Sequence, residues 1–161
     1  MYYNRKIEKN IEKELFKGKV IIVYGPRQSG KTTLVKKIAE KSSKKYVYFN
    51  CEVESVKNGL KEVEPQKIKQ FFGNVDIVIL DEAQVIENIG LKLKVFNDEY
   101  KDIQIIATGS SSFDLRNKIN EPLTGRSREF LLYPFSINEI IENTSYSNFK
   151  SVEESCFIYG F

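Results

Sequence analysis

Apolar positions recur every fourth residue at the start of the chain. Tyr3, Ile7, Ile11 and Leu15 make one stripe and predict a short helix that Gly18 ends. The pattern then changes, and residues 19–24 (KVIIVY) form a β-branched run suited to a buried parallel strand. After a glycine-rich turn, Leu34, Val35, Ile38 and Ala39 give the inner face of a helix whose other face carries Lys36, Lys37, Glu40 and Lys41. Residues 46–50 read as a second strand. Pro65 suits the first turn of a helix, with Ile68, Phe71 and Phe72 on its buried side and Gly73 as its stop. Residues 75–80 (VDIVIL) are a third strand, Ile89, Leu93, Phe96 and Tyr100 space another amphipathic helix, and residues 103–107 make a fourth strand. Ser111 or Ser112 can cap a helix containing Phe113, Leu115 and Ile119. Residues 129–133 are a weaker fifth strand, and Ser136 with Glu139 has capping-box spacing ahead of a last helix.

Strands alternating with helices at this spacing predict βαβ units. The expected fold class is α/β, a three-layer sandwich with a mainly parallel sheet of about five strands. The expected organisation is one domain over residues 1–161, with an N-terminal helix at 1–18, a core at 19–143 and a connection at 144–161. The last stretch, 152–161 (VEESCFIYGF), is apolar and stops abruptly. The natural polypeptide is therefore expected to continue into a C-terminal domain.

Composition narrows the chemistry. The chain has 161 residues, 41% hydrophobic and 29% charged, with a formal net charge of +3. That small excess gives no argument for a nucleic-acid or anionic-membrane partner, and lysines such as those at 36–45 read as solvated helix surface. Histidine is absent, which excludes His-based bases, triads and metal sites. Cys51 and Cys156 lie far apart and outside ligand spacing, so they read as reduced thiols. No apolar run reaches the length of a membrane span, and the chain reads as soluble and cytoplasmic.

Gly25-Pro26-Arg27-Gln28-Ser29-Gly30-Lys31-Thr32, followed by Thr33, matches G-x-x-x-x-G-K-[ST] between a strand and a helix. Gly25 and Gly30 let the backbone turn tightly and approach phosphates without a Cβ in the way. The N–H groups of residues 28–32 converge on phosphate oxygens, helped by the start of the following helix. Lys31 is expected to reach the β- and γ-phosphates, and the Thr32 hydroxyl to ligate Mg²⁺.

Asp81 ends an apolar strand, where a carboxylate is costly without a charged or metal partner, so it is expected to hold Mg²⁺, directly or through water. Glu82 follows at once and is the candidate to orient or deprotonate an attacking water. Thr108 or Ser110, at the end of the fourth strand, would sense the γ-phosphate, although residues 110–112 can also serve as a helix cap. Gly25, Asp81 and Thr108 all fall at C-terminal ends of predicted parallel strands, where such sheets bind ligands.

The wording is more specific than the spacing. Val23-Tyr24-Gly25-Pro26-Arg27-Gln28-Ser29-Gly30-Lys31-Thr32-Thr33-Leu34, then Leu80-Asp81-Glu82-Ala83-Gln84, Ala107-Thr108-Gly109-Ser110-Ser111, Leu123-Thr124-Gly125-Arg126, and Tyr133-Pro134-Phe135-Ser136 to Glu139 follow in order along nearly the whole chain. Together they resemble the prokaryotic AAA-superfamily P-loop ATPases of the additional-strand, catalytic-glutamate class that carry an uncharacterised C-terminal domain. The resemblance implies an AAA-like P-loop NTPase core and Mg²⁺-dependent ATP hydrolysis coupled to that further domain. ATP rather than GTP also rests on it, since no N-K-x-D motif is present.

The same resemblance makes Arg126 a candidate arginine finger, supplied to a neighbour's ATP in a homo-oligomer, with Arg116 and Arg128 as lesser candidates. The alternative for Arg126 is a surface pair with Glu121 or Glu129. Two other functions compete with the ATPase. A P-loop phosphotransferase would release phosphate only to an acceptor, and a nucleotide-dependent binding module would hydrolyse little.

Overall fold

The computed structural model describes residues 3–110 and 123–143. Helix α1 spans Glu8–Glu12 and is followed by strand β1, Val20–Tyr24, and helix α2, Lys31–Lys41. Strand β2 (Tyr46–Asn50) leads through helices α3 (Glu54–Gly59) and α4 (Pro65–Phe72) to strand β3, Ile77–Asp81. A 3₁₀ turn at Ala83–Val85, helix α5 (Ile89–Glu99), strand β4 (Gln104–Gly109), strand β5 (Ser127–Leu131) and helix α6 (Ile137–Asn143) complete the described chain.

All strand pairs are parallel, in the order β2-β3-β4-β1-β5, which is the expected five-strand α/β sheet. β4 therefore lies between β1, which leads into the glycine-rich loop, and β3, which ends on Asp81. Both faces of the three central strands are covered, and this is why they read as continuous apolar runs. Strand parity divides their side chains into two cores. Val20, Ile22, Val78, Leu80, Ile105 and Ala107 pack with Val56, Ile68, Phe72, Leu93 and Phe96 on the side of α3, α4 and α5. Ile21, Val23, Ile77, Ile79 and Ile106 pack with Ile11, Leu34, Val35 and Ile38 on the side of α1 and α2.

Several boundaries differ from the pattern of the sequence. α1 is a five-residue helix, because the chain before it is tied elsewhere: the Tyr3 ring meets Phe135 edge-on at 5.8 Å, and Arg5 is buried. β5 starts two residues earlier than its apolar stretch, since its register is set by pairing Val20 with Ser127, and it carries exposed Arg128 and Glu129 as a sheet edge can. α3 has one buried residue, Val56, and so left no periodic signal. Pro65 and Gly73 bound α4 as expected, Gly73 at φ +75°. The helix expected around Phe113, Leu115 and Ile119, and the connection at 144–161, lie outside the described residues.

The capping box is formed. The Ser136 backbone N–H donates to Glu139 Oε2 at 3.0 Å, and the Glu139 N–H donates to Ser136 Oγ at 3.2 Å. The other Glu139 oxygen accepts from the Lys6 N–H at 2.9 Å and Arg5 Nε at 3.2 Å, fastening the N-terminal segment to α6. Burial pushes the Glu139 carboxyl up, but the Ser136 and Lys6 N–H groups and the Arg5 guanidinium outweigh it and hold it below the usual glutamate value.

A carboxyl with a lowered folded-state pKa contributes stability that is complete above its unfolded value and is lost as pH falls through the folded one. Glu139→Gln should therefore flatten the acid limb. Urea unfolding at about pH 7 and about pH 3 should show a smaller loss of stability in the variant than in the unaltered chain.

Candidate functional site

β1 delivers the chain to Gly25 beside β5, and a Cβ at Gly25 would lie 2.0 Å from the Leu132 carbonyl oxygen. Close backbone passage therefore fixes that glycine. The loop then turns through left-handed Gln28 (φ +63°) and Gly30 (φ +87°), and Gly30 is the N-cap of α2. Pro26, Arg27, Gln28 and Thr33 are exposed on its outer side. The buried Lys31 ammonium donates to the carbonyls of Gly25 at 3.0 Å and Pro26 at 2.9 Å. Desolvation lowers its pKa, and the Glu82 and Asp81 carboxylates partly oppose that.

The loop is held from behind by Arg5. Its Nη1 donates to the Ser29 carbonyl at 2.8 Å, its Nη2 donates to the Tyr133 carbonyl, and its guanidinium lies 4.0 Å from the Phe135 ring centroid. The sequence placed this segment near the loop only in order along the chain. A basic residue on a short amphipathic stretch gave no sign that it would be buried.

Asp81 is the hub of the polar cluster. It is buried, and its carboxylate accepts from Thr32 Oγ1 (3.0 and 2.8 Å to the two oxygens), from the Tyr48 hydroxyl at 2.8 Å, and from Thr108 Oγ1. Thr108 is fully buried, and its oxygen also accepts from the Glu82 N–H at 3.2 Å. Thr32, from the first turn of α2, thus meets Asp81, Glu82 and Thr108 at the C-terminal end of the sheet. Ser110 stands one step away. The Gln84 side-chain amide donates to Glu82 Oε2 at 2.6 Å and lies 3.3 Å from Ser110 Oγ. Glu82 itself adopts a left-handed conformation, φ +53° and ψ +44°, which turns it out of the strand line.

Tyr48 was missed as a site residue, although a signal existed. Asn50 pairs with Asp81 and Tyr48 with Ile79, so alternate residues of β2 share the face that carries Asp81. Behind the site, burial and then the Asp81 and Glu82 carboxylates push the Cys51 thiol up to about 12. Arg126 lies at the other end of the sheet, where its carbonyl accepts from the Val20 N–H, and its Nε pairs with Asp98 at 2.8 Å rather than with Glu129. Arg128 pairs with Glu14 at 3.1 Å. Arg116 lies outside the described residues.

A cleft of about 520 Å³ opens over the loop, bordered by Arg27, Lys31, Thr32, Glu52 and Glu82 among others. Its chemistry fits a polyphosphate with a hard cation. Ser29 Oγ is buried without a hydrogen-bond partner among the described residues, Lys31 supplies positive charge, and Thr32 with Asp81 offers oxygen donors of the kind Mg²⁺ takes. Two such donors would leave coordination positions for phosphate and water, as Mg²⁺ requires.

A family described as an AAA domain matches residues 17–141. The chain belongs to this AAA domain family. It is thereby a nucleotide-binding protein of the ATPase type, with a P-loop fold. No curated protein matches the chain.

Solved structures share the fold of this AAA domain at low identity. Domain III of the Thermotoga maritima replication initiation protein DnaA aligns with a TM-score of 0.62 at 16% identity, over 95% of this chain and 78% of that one. A DNA replication initiation factor aligns at 0.61 and 16%, over 94% of this chain and 49% of that one. The Pif1 helicase from Candida albicans aligns at 0.57 and 14%, over 88% and 42%. The chain thus spans about half the length of the replication factor and less of the helicase. Among the described residues, no helix is long and apolar enough to cross a membrane.

Thr108→Val keeps the shape of the AAA domain's fourth strand but removes one donor to Asp81 and the acceptor of the Glu82 N–H. It should destabilise the ligand-free protein by about 1–3 kcal/mol, read as a lower guanidinium midpoint at unchanged m-value.

Proposed function

We propose that this AAA domain binds ATP with Mg²⁺ over the loop formed by Gly25, Pro26, Arg27, Gln28, Ser29, Gly30, Lys31, Thr32 and Thr33, and hydrolyses it. The observation that carries this reading is the single cluster joining Thr32, Asp81, Glu82 and Thr108 beside the Lys31 loop.

Lys31 exchanges its two carbonyl partners for phosphate oxygens, which compensate its burial better than neutral carbonyls do. Thr32 and Asp81 would hold Mg²⁺, which would supply positive charge against the β- and γ-phosphates. Glu82 accepts the proton of the attacking water, with its main chain fixed by Thr108. Gln84 holds the Glu82 carboxylate and must release it, and Ser110, beside the same amide, is suited to register that change. The position of β4 between β1 and β3 supports assignment to the additional-strand class.

Arg126 cannot serve its own loop, since the length of β1 separates them by about 16 Å. As a finger it would act on a neighbouring copy, after leaving Asp98. The Arg5 contacts join the loop to α6. They support the reading that the nucleotide cycle moves an effector segment beyond it.

Saturating ATP and Mg²⁺, at about 100 times Kd, should raise the melting temperature by about 5–10 °C, and Lys31→Ala should abolish that rise. An undiminished rise in the variant would refute the cradle. Glu82→Gln should keep the rise while steady-state phosphate release falls by about 10²–10⁴-fold. Unchanged release would remove Glu82 from its role.

A further inference from the structure

Strand parity and helix spacing bring one more residue to the Asp81 carboxylate. Tyr48 stands on the same face of the sheet as Ile79 and Asp81, two residues before Asn50, the register partner of Asp81. Its hydroxyl donates to Asp81 Oδ2 at 2.8 Å, the oxygen that also receives the closer Thr32 contact. The ring is held as well. Lys36, one helical turn after Thr32 on α2, places its ammonium 3.5 Å from the Tyr48 ring centroid.

We infer that Tyr48 is a positioning residue for the divalent-cation site: clamped between Lys36 and Asp81, it orients the carboxylate that receives the metal. This rests on the reading of Asp81 as a metal ligand. The physical need is specific. The Thr32 hydroxyl can give a lone pair to the cation while its proton stays on Asp81, so Tyr48 and Thr108 are the two donors to the carboxylate that do not also have to serve the cation. Thr108 engages Oδ1 and Tyr48 engages Oδ2, so the pair fixes the rotation of the carboxylate plane. Partners of this kind, which bond a metal ligand rather than the metal, commonly change metal affinity by about 10–100-fold.

The decisive variant is Tyr48→Phe, which removes one oxygen and keeps the ring under Lys36. With ATP at a fixed saturating concentration, Mg²⁺ and in parallel Mn²⁺ are titrated, following the melting temperature and the fluorescence of a labelled ATP. The expected result is a metal midpoint raised about tenfold or more, with metal-free affinity for the labelled ATP unchanged. Lys36→Met should raise the midpoint in the same direction by a smaller factor, and it decides the matter if Tyr48→Phe fails to fold by circular dichroism. Equal midpoints in the variant and the unaltered chain would overturn the inference. So would a loss of metal-free ATP affinity matching the loss with metal, because that marks a structural role alone. If the unaltered chain shows no metal-dependent ATP response, the ATP reading falls, and this inference with it.

Discussion

A carboxylate at the buried end of a buried strand sets the terms for the rest of this molecule. Asp81 closes β3 with almost no exposure, and an ionised group there is tolerable only if every lone pair finds a donor or a cation. The sheet meets that demand by its order. β2 and β4 flank β3, so a tyrosine from one side and a threonine from the other reach the two oxygens. α2 begins directly after the phosphate loop and supplies the third hydroxyl, from Thr32. Any rearrangement of strand order would leave the carboxylate short of partners. The same three hydroxyls make the acid available to a metal, since neutral donors satisfy its geometry without cancelling its charge.

The loop answers a complementary constraint. Lys31 is a buried cation resting on two carbonyls, and Gln28 and Gly30 hold left-handed backbone to shape the turn around it. Arg5 braces this strained turn through the Ser29 carbonyl while its other contacts reach the chain ahead of α6. Positive charge thus approaches the loop from inside and negative charge from β3. A phosphate chain bound between them would answer the lysine, and a cation between that chain and Asp81 would answer the carboxylate.

Much of this was legible in the sequence, and the exceptions are physical. β1, β3 and β4 announced themselves because both their faces are buried, and Pro65 and Gly73 bounded α4 through backbone chemistry that is local. Gly25, Lys31, Thr32, Asp81 and Glu82 were readable because phosphate binding demands those residue types at that spacing. β5 was misplaced by two residues because an edge strand is fixed by its neighbour's register rather than by its own hydropathy. Arg5 and Tyr48 were not singled out because their partners are distant in sequence: 134 residues to Glu139 for one, 33 to Asp81 for the other. The Arg126 pair with Asp98 left no local signal, since Asp98 lies 28 residues away on α5.

Cys51 sits directly behind the acid cluster, fully buried, with its thiol pushed up to about 12. At neutral pH it is a protonated, enclosed sulfur, and only the thiolate reacts readily with oxidants or alkylating agents. The C-terminal end of this sheet is thereby insulated from thiol oxidants, despite a cysteine one residue beyond β2. It also means that a thiol reagent reads something other than nucleotide occupancy. Modification at Cys51 requires the core around it to open, so its rate, followed at that cysteine, measures how often this end of the domain opens, a local stability scale built into the protein.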